Sequence, residues 1–450
     1  HGSPAVCLIQ FSVPLLIGNL AQQLYSTVDS VVVGIYVGDG ALAAVGASFP
    51  LINLLLVLFV GISTGASIMV SQYFGAREQK ALSKTVGNTI VLTFFCSLFI
   101  TAVGLLTCRW FMTLLRTPAD IYDMSCVYLD IIFYGMIGCA YYNILSGILR
   151  GLGDSLMPLI FLLISCALNI VLDLMFVINF SMGVAGVAWA TIISQMVSSV
   201  LCLWRLLRMR DVLVIDREAL RLDWALCVQL FRLGLPSGAS QAIFSMAALM
   251  VQSLTNTFGS MVITANIIVM RVDGFAMMPN FSFGMAMTTF AGQNVGAGRM
   301  DRVSKGTRDG LKIGLLVSAV LVLLIVFFGK YLMRLFTSTE SVLNLGMRML
   351  WILSPGYLAM AVTQILSGTM RGAGDTVTPM WISLITTVII RTPLAYLMAF
   401  LTRSELNPAG NPDVLFLSLS ISWVLGAAMT VLFYLRGRWK KKGIAQSQTA

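Results

Sequence analysis

Charged side chains are scarce in this 450-residue sequence: Asp, Glu, Lys and Arg make up 11% of it, whereas hydrophobic residues make up 58%. The mean hydropathy is +0.89. A soluble domain does not tolerate so little charge with so much apolar sequence. The composition therefore excludes a water-soluble protein and indicates one that lies in a lipid bilayer.

Histidine is nearly absent, and cysteine lacks the spacing that metal sites require. The one histidine is His1, and the eight cysteines include no Cys-x-x-Cys pair. Most cysteines lie inside apolar segments, which is typical of small packing residues. We therefore expect no His- or Cys-based metal site and no cofactor. Since no catalytic dyad is present either, we do not expect an enzyme.

Acidic residues are fewer than basic ones, and the net charge is +10. The basic residues lie in short loops beside apolar segments rather than on one soluble face, so we do not expect nucleic acid as a partner. One set of loops contains most of them, and the opposite loops contain only Arg109, Arg116, Lys330, Arg334, Arg348 and Arg403. This asymmetry predicts a multi-pass protein of the plasma (inner) membrane with both termini in the cytoplasm.

Twelve apolar segments are long enough to cross a bilayer as helices, since about 20 residues span ~30 Å of hydrocarbon. They cover residues 12–35, 45–71, 85–107, 125–148, 157–178, 184–206, 229–256, 262–292, 310–330, 345–370, 377–401 and 414–435. We predict an all-α polytopic membrane protein.

The sequence is duplicated. The stretch Ile144–Asp154 returns as Ile365–Asp375, and both copies end in Arg-Gly-x-Gly-Asp, which we interpret as a tight hairpin where Arg150 and Asp154 are available to pair. Each copy contains six apolar segments, which predicts two parallel six-helix repeats. The predicted domains are an N-terminal lobe at 1–206, a cytoplasmic linker at 207–228 and a C-terminal lobe at 229–450 with a basic cytoplasmic tail.

Acids inside the predicted spans mark candidate sites, because an ionised carboxylate in hydrocarbon is costly. Asp29 lies on a polar helix face with Gln22 and Ser26, and Asp173 shares a face with Asn169. A rise of ~1.5 Å per residue places these acids at similar depth. We expect a group in the outer half of the first lobe, formed by Asp29, Asn169, Asp173 and Thr191. Its oxygens suit either Na⁺ or a shared proton, and the alternative is a purely structural role as helix caps or cross-links.

Three further intramembrane charges are ambiguous. Asp273 lies two residues from Arg271, a spacing compatible with a local ion pair as well as with a role in coupling. Arg391 precedes Thr392 and Pro393 in the eleventh span, and its role is equally open.

Several motifs recur in an order that is typical of one family. They are Pro14, Tyr25–Asp29, Ala41–Gly46, Gln72–Ala76, both Arg-Gly-x-Gly-Asp hairpins and Gly292–Ala297. Over nearly all of its length the chain resembles the multidrug and toxin extrusion (MATE) family. The resemblance implies the MATE fold, in which twelve transmembrane helices form two pseudo-symmetric six-helix lobes in a V that opens alternately to each side.

The resemblance to the DinF-like branch implies roles for particular residues. It makes Asp29, Asn169, Asp173 and Thr191 the cation-coupling site, and it makes Pro14 the point where the first helix bends. It also suggests cavity-lining roles for Gln22, Tyr25, Tyr128 and Asn143. The NorM-like branch instead has acids in the seventh and tenth spans, where this sequence has none.

The expected function is secondary active antiport. The protein would export amphipathic, in particular cationic, drugs in exchange for H⁺ or Na⁺ by alternating access, as a monomer in the bilayer. The alternative is a flippase of lipid-linked saccharides on a related scaffold. A flippase cavity requires basic residues for pyrophosphate, and only Arg271 and Arg391 are intramembrane.

Overall fold

The protein is helical throughout the part that the computed structural model describes, residues 2–405 and 407–444. His1, the single histidine, lies outside these residues. The α-helices are α1 (Pro4–Val32), α2 (Asp39–Ala76), α3 (Gln79–Leu114), α4 (Ala119–Tyr134), α5 (Met136–Gly151), α6 (Leu156–Leu174), α7 (Gly183–Arg208), α8 (Trp224–Asn256), α9 (Ser260–Gly296), α10 (Met300–Arg334), α11 (Glu340–Gly372), α12 (Val377–Ser383), α13 (Thr392–Leu401) and α14 (Val414–Leu435).

Three π-helical segments extend or join these helices. Val33–Val37 continues α1, Met175–Asn179 continues α6, and Leu384–Arg391 joins α12 to α13. A π-helical turn contains one more residue than an α-helical turn, so it rotates the side chains that follow it.

The described residues contain eleven helical stretches that are long and apolar enough to cross a membrane, and α4 with α5 forms a twelfth that is bent by 52°. The prediction of twelve spans is therefore confirmed. The bend occurs at Gly135, where a Cβ atom would overlap Ile192 of α7. Hydropathy did not predict this bend, because it does not detect a helix that changes direction to fit its neighbour.

Contacts divide the chain into two compact units. The first unit is Val13–Gly238, and the second unit combines the residues up to Ser12 with those from Ala239 onward. Helices α1 and α8 are each divided between the units within two residues of an internal proline, Pro14 and Pro236. The predicted lobe boundaries stay a prediction from the sequence. The contact-based units differ from the predicted lobes because the linker and the start of α8 belong to the first unit and the residues up to Ser12 belong to the second unit.

Glycines allow close helix packing inside each unit. A Cβ on Gly147 of α5 would overlap the Ser63 hydroxyl of α2, and a Cβ on Gly368 of α11 would overlap the Gly284 carbonyl of α9. Small residues let helix backbones approach closely within a membrane. The repeated Ser-Gly sequence that precedes each hairpin is thus a helix-packing element inside α5 and α11.

The aspartate of each hairpin forms an ion pair with a basic residue that lies later in the same unit. Asp154 binds Arg205 of α7 with an N–O distance of 3.0 Å, and Asp375 binds Lys442 at 2.8 Å. The expected pairing of Arg150 with Asp154 is therefore wrong. A cation from a helix distant in sequence takes that place, because the hairpin points Asp154 toward the end of α7.

The chain segment after each sixth span folds back onto its own unit. In the first unit, Asn88 of α3 donates to the Arg221 carbonyl at 3.0 Å and accepts from the Asp223 amide at 2.6 Å. In the second unit, Trp439 is 1% exposed and packs among residues of α9, α10 and α11.

Candidate functional site

Two acidic side chains meet in the first unit. Asp29 of α1 and Asp173 of α6 lie within hydrogen-bonding reach of each other. Asp173 is completely buried, and Asp29 is partly buried. Each carboxyl group has one oxygen, Oδ1, that is buried without a hydrogen-bond partner. The pair therefore has unused acceptor capacity in an environment that excludes bulk water.

Asn169 connects this pair to α7. It lies one turn before Asp173 on α6, and its side chain is 1% exposed. With its amide oriented to satisfy both neighbours, Nδ2 donates to Asp173 Oδ2 at 2.9 Å and Oδ1 accepts from the Thr191 backbone N–H at 3.2 Å. The opposite orientation would place the amide oxygen against the carboxyl oxygen, which is stable only when a metal cation or a carboxyl proton lies between them.

Two tyrosines complete the group. The Tyr25 side chain, one turn before Asp29 on α1, interacts with the Thr191 side chain. Tyr128 of α4 is 6% exposed and lies within electrostatic range of both acids. The Thr191 hydroxyl donates to the Val187 carbonyl at 3.0 Å, which leaves its oxygen free to accept.

An apolar cluster closes one end of the site. Val33 and Val177 follow Asp29 and Asp173 by one turn, lie in the two π-helical segments, and pack in one buried cluster with Tyr128 and Ile192. Both acid-bearing helices change to π-helical geometry just after the acid. Single π-turns inside helices are frequent at functional sites.

Serine hydroxyls fix the register of α6 against α7. Ser165 donates to the Ser194 carbonyl at 2.8 Å, and Ser198 donates to the Phe161 carbonyl at 3.1 Å. These paired contacts hold Asn169 opposite the Thr191 backbone.

Three other residues suggested by the resemblance lie in the first unit but outside this group. The Gln22 side chain is exposed, and its carbonyl accepts from Ser26 at 3.1 Å. The Asn143 amide donates within α5 to the Cys139 carbonyl at 2.8 Å. Pro14 lies inside α1. The structure thus joins Asp29, Asp173, Asn169, Thr191, Tyr25 and Tyr128 in one group, and it does not join Gln22 or Asn143 to that group by any bond among the described residues.

Asp273, the candidate intramembrane acid of the second unit, has different neighbours from the Arg271 that the sequence suggested. Arg271 is exposed, and no ion pair joins it to Asp273 in the described ranges. Asp273 of α9 instead faces Tyr357 of α11 and Arg391 at the end of the π-helical segment. Sequence reasoning did not single out Tyr357, because no local pattern places it beside an acid 84 positions earlier.

The first group can hold one positive charge. Two ionised carboxylates this close would repel each other, so the pair requires a shared proton or a bound cation. A duplicated helical fold with such a group among its spans is the architecture of secondary membrane transporters.

Comparison with known proteins identifies the family. The MatE family profile matches residues 14–175 and 236–397, once in each half of the chain. The chain belongs to this family of multidrug efflux transporters and is a multi-pass membrane protein.

Several relatives match over most of their length. "Probable multidrug resistance protein YoeA" of Bacillus subtilis (strain 168) is 31% identical over 445 residues, which cover 97% of this chain and 94% of that protein. "Probable multidrug resistance protein YpnP" of the same organism is 29% identical and is covered over 95% of its length. The crystal structure of MATE in the bent conformation superposes with a TM-score of 0.90 at 22% identity, covering 98% of this chain and 96% of that one. The predicted MATE fold is confirmed.

Proposed function

We propose that the protein exports amphipathic organic cations in exchange for protons, with Asp29 and Asp173 as the coupling pair. The observation that carries this proposal is the juxtaposition of the two carboxyl groups, each with an unpartnered buried oxygen, beneath an apolar cluster. The negative charge of this buried pair is neutralised either by the coupling ion or by a cationic cargo. Competition for the same charge makes the two occupants alternate, which is exchange.

The contact between the two carboxyl groups supports the proton as the coupling ion. Asp29 and Asp173 lie within hydrogen-bonding reach of each other, and two carboxyl groups that close share a proton readily. A sodium ion prefers several oxygen ligands, whereas a proton needs only these two groups.

Drug export is favoured over lipid flipping. The curated relatives are named for multidrug resistance. The first-unit site is acidic, which suits a cationic cargo and repels a pyrophosphate.

The test is ethidium efflux from proteoliposomes under separately imposed H⁺ and Na⁺ gradients. We expect efflux with the H⁺ gradient alone. Asp29→Asn and Asp173→Asn should each lower the initial rate at least about tenfold, because loss of one charge-assisted contact is worth ~1.5–3 kcal/mol.

Asp120→Asn serves as the matched control, since Asp120 is an exposed acid of α4 in the same unit. It should leave the rate unchanged. Full efflux by either site variant at wild-type protein yield would contradict the coupling role. Efflux driven by Na⁺ alone would keep antiport and replace the proposed ion.

A further inference from the structure

One side of α10, in the second unit, presents basic side chains that no acid pairs. Lys305, Arg308 and Lys312 are all exposed, and their spacings of three and four residues place them on one face of the helix. None of the three forms an ion pair within the ranges that the structure describes. Asp301, one turn before Lys305, binds Arg299 instead at 2.9 Å. This face of α10 therefore has positive charge without an acidic partner.

The corresponding face of α3 is covered in the first unit. The repeat offset of 221 residues places Lys84 and Gly87 at the positions of Lys305 and Arg308. Lys84 binds Asp223 at 3.0 Å, and a Cβ on Gly87 would overlap a backbone carbonyl of the segment between the repeats. That acidic segment thus lies directly on α3. In the second unit an arginine replaces the glycine, and the face stays exposed.

The chain after α14 adds further cations beside this face. Trp439 is 1% exposed and packs in one buried cluster with Val303 of α10. Its ring stacks on Tyr434 with centroids 5.1 Å apart, and Tyr434 lies within electrostatic range of Arg308. The basic turn, residues 436–441, surrounds the buried tryptophan with four exposed cations: Arg436, Arg438, Lys440 and Lys441.

The basic face continues into an exposed apolar face of the same helix. Four large apolar residues follow Lys312 at spacings of three or four and are 48–69% exposed: Leu316, Val320, Leu323 and Phe327. Helix α10 is long and apolar enough to cross a membrane, and its basic residues lie at its start. Exposed cations next to exposed apolar side chains match a phospholipid, whose charged headgroup adjoins its acyl chains.

We infer that the exposed face of α10 and the basic turn form a binding surface for anionic phospholipids of the adjacent leaflet. The cations contact the headgroup phosphates, and the apolar side chains contact the acyl chains. Residues 305–312 contribute three cations and residues 436–441 contribute four, against one acid, the half-buried Asp309. This excess favours a lipid with net negative charge over a zwitterionic one. The inference does not depend on which compounds the protein exports.

The experiment measures which lipid stays bound to the purified full-length protein. The protein in detergent is mixed with equal amounts of dioleoylphosphatidylglycerol and dioleoylphosphatidylcholine, and native mass spectrometry gives the ratio of the two bound lipids. Both probes have the same acyl chains, so the ratio reports the headgroup charge alone.

Two variants remove the two parts of the surface, and a third serves as the control. The face variant combines Lys305→Gln, Arg308→Gln and Lys312→Gln. The turn variant combines Arg438→Gln, Lys440→Gln and Lys441→Gln. The control combines Arg210→Gln, Arg217→Gln and Arg221→Gln, which removes three exposed arginines from the acid-containing segment between the repeats. All three variants lose the same charge, and each is checked for a single peak in size-exclusion chromatography.

We expect the wild type to retain phosphatidylglycerol over phosphatidylcholine about tenfold or more, since each cation near the membrane surface strengthens binding to anionic lipid severalfold. The face and turn variants should each lower this ratio about fivefold, and the control should keep it. Equal retention of both lipids by the wild type would overturn the inference. An equal loss in the control would do so as well, because net charge alone would then set the preference.

A soluble anion is distinguished from the lipid by competition. Glycerol 3-phosphate in excess should not displace bound phosphatidylglycerol, because it lacks the acyl chains that contact the apolar face of α10. Complete displacement would assign the cations to a soluble phosphate compound and reject the lipid surface.

Discussion

At the scale of single residues, Asn169 links the acid pair to α7. One amide, oriented to suit its neighbours, can satisfy a carboxyl oxygen of Asp173 and a backbone N–H of Thr191 at once. No other side chain has a donor and an acceptor at this length and geometry except aspartic acid in its protonated form. The residue is therefore expected to orient Asp173 rather than to carry the charge.

Replacing Asn169 tests this role. Asn169→Leu removes both bonds while keeping the branched shape of the side chain. We expect ethidium efflux to fall about tenfold, because a buried carboxyl loses its partner at ~1–3 kcal/mol. Efflux is measured at equal reconstituted protein, with Asn179→Leu as the control because Asn179 is exposed at the end of the same span. Equal rates in both variants would show that Asn169 does not orient the acid.

Residue-level reasoning from sequence reached the polar groups but not their partners. Helical spacing and depth place Asp29, Asn169, Asp173 and Thr191 on facing surfaces, because both follow from the fixed rise and turn of an α-helix. The partners Tyr357 and Arg391 of Asp273 lie on other helices. Which helices adjoin one another is not a local property of the sequence.

At the scale of elements, glycine contacts determine how tightly helices approach. We expect Gly147→Leu and Gly368→Leu each to lower the free energy of unfolding by about 3 kcal/mol or more, since the added side chain overlaps an atom of the adjacent helix. Thermal unfolding of the purified variants in detergent provides the measurement. Gly46→Leu and Gly274→Leu are the controls, because a Cβ at either position meets no atom within 4 Å. Equal melting temperatures for all four variants would refute this packing role.

Helices α1 and α8 are expected to be the elements that change shape during transport. Each has its proline within two residues of the point where the chain passes from one compact unit to the other. A proline inside a helix removes one backbone hydrogen bond and lowers the cost of bending.

Pro14→Ala and Pro236→Ala should therefore lower ethidium turnover severalfold while raising the melting temperature, since alanine restores the helical bond. Pro50→Ala is the matched control, because Pro50 lies inside α2, which belongs wholly to the first unit. Wild-type turnover in both hinge variants would exclude these prolines as bending points.

At the scale of the whole molecule, the segment between the repeats is anchored to the first unit. Lys84 of α3 binds Asp223 at 3.0 Å, and this contact lowers the pKa of the Asp223 carboxyl below its usual range. A carboxyl group whose pKa is lower in the folded state stabilises the protein at neutral pH. That contribution disappears as the pH falls through the folded-state pKa.

Asp223→Asn should thus lower the melting temperature slightly at neutral pH, with the curves of variant and wild type converging in acid. The melting temperature is measured across pH, with Asp211→Asn as the control because Asp211 is an exposed acid of the same segment. A constant difference across the pH range would show that the Lys84 contact does not set the stability. Only a small effect is expected, because the pair is about one-third exposed.

The sequence by itself determined the bilayer environment, the twelve spans, the duplication and the polar helix faces. Each of these follows from composition, segment length or sequence periodicity. These properties do not depend on which helices pack together. The tertiary structure decided the bend at Gly135, the π-helical segments after Asp29 and Asp173, and the pairing of Asp154 with Arg205 instead of Arg150. It also decided that Asp273 faces Arg391 and Tyr357. These features depend on how helices distant in sequence pack together, and side-chain volume and buried charge fix that packing only when all of the helices are in place.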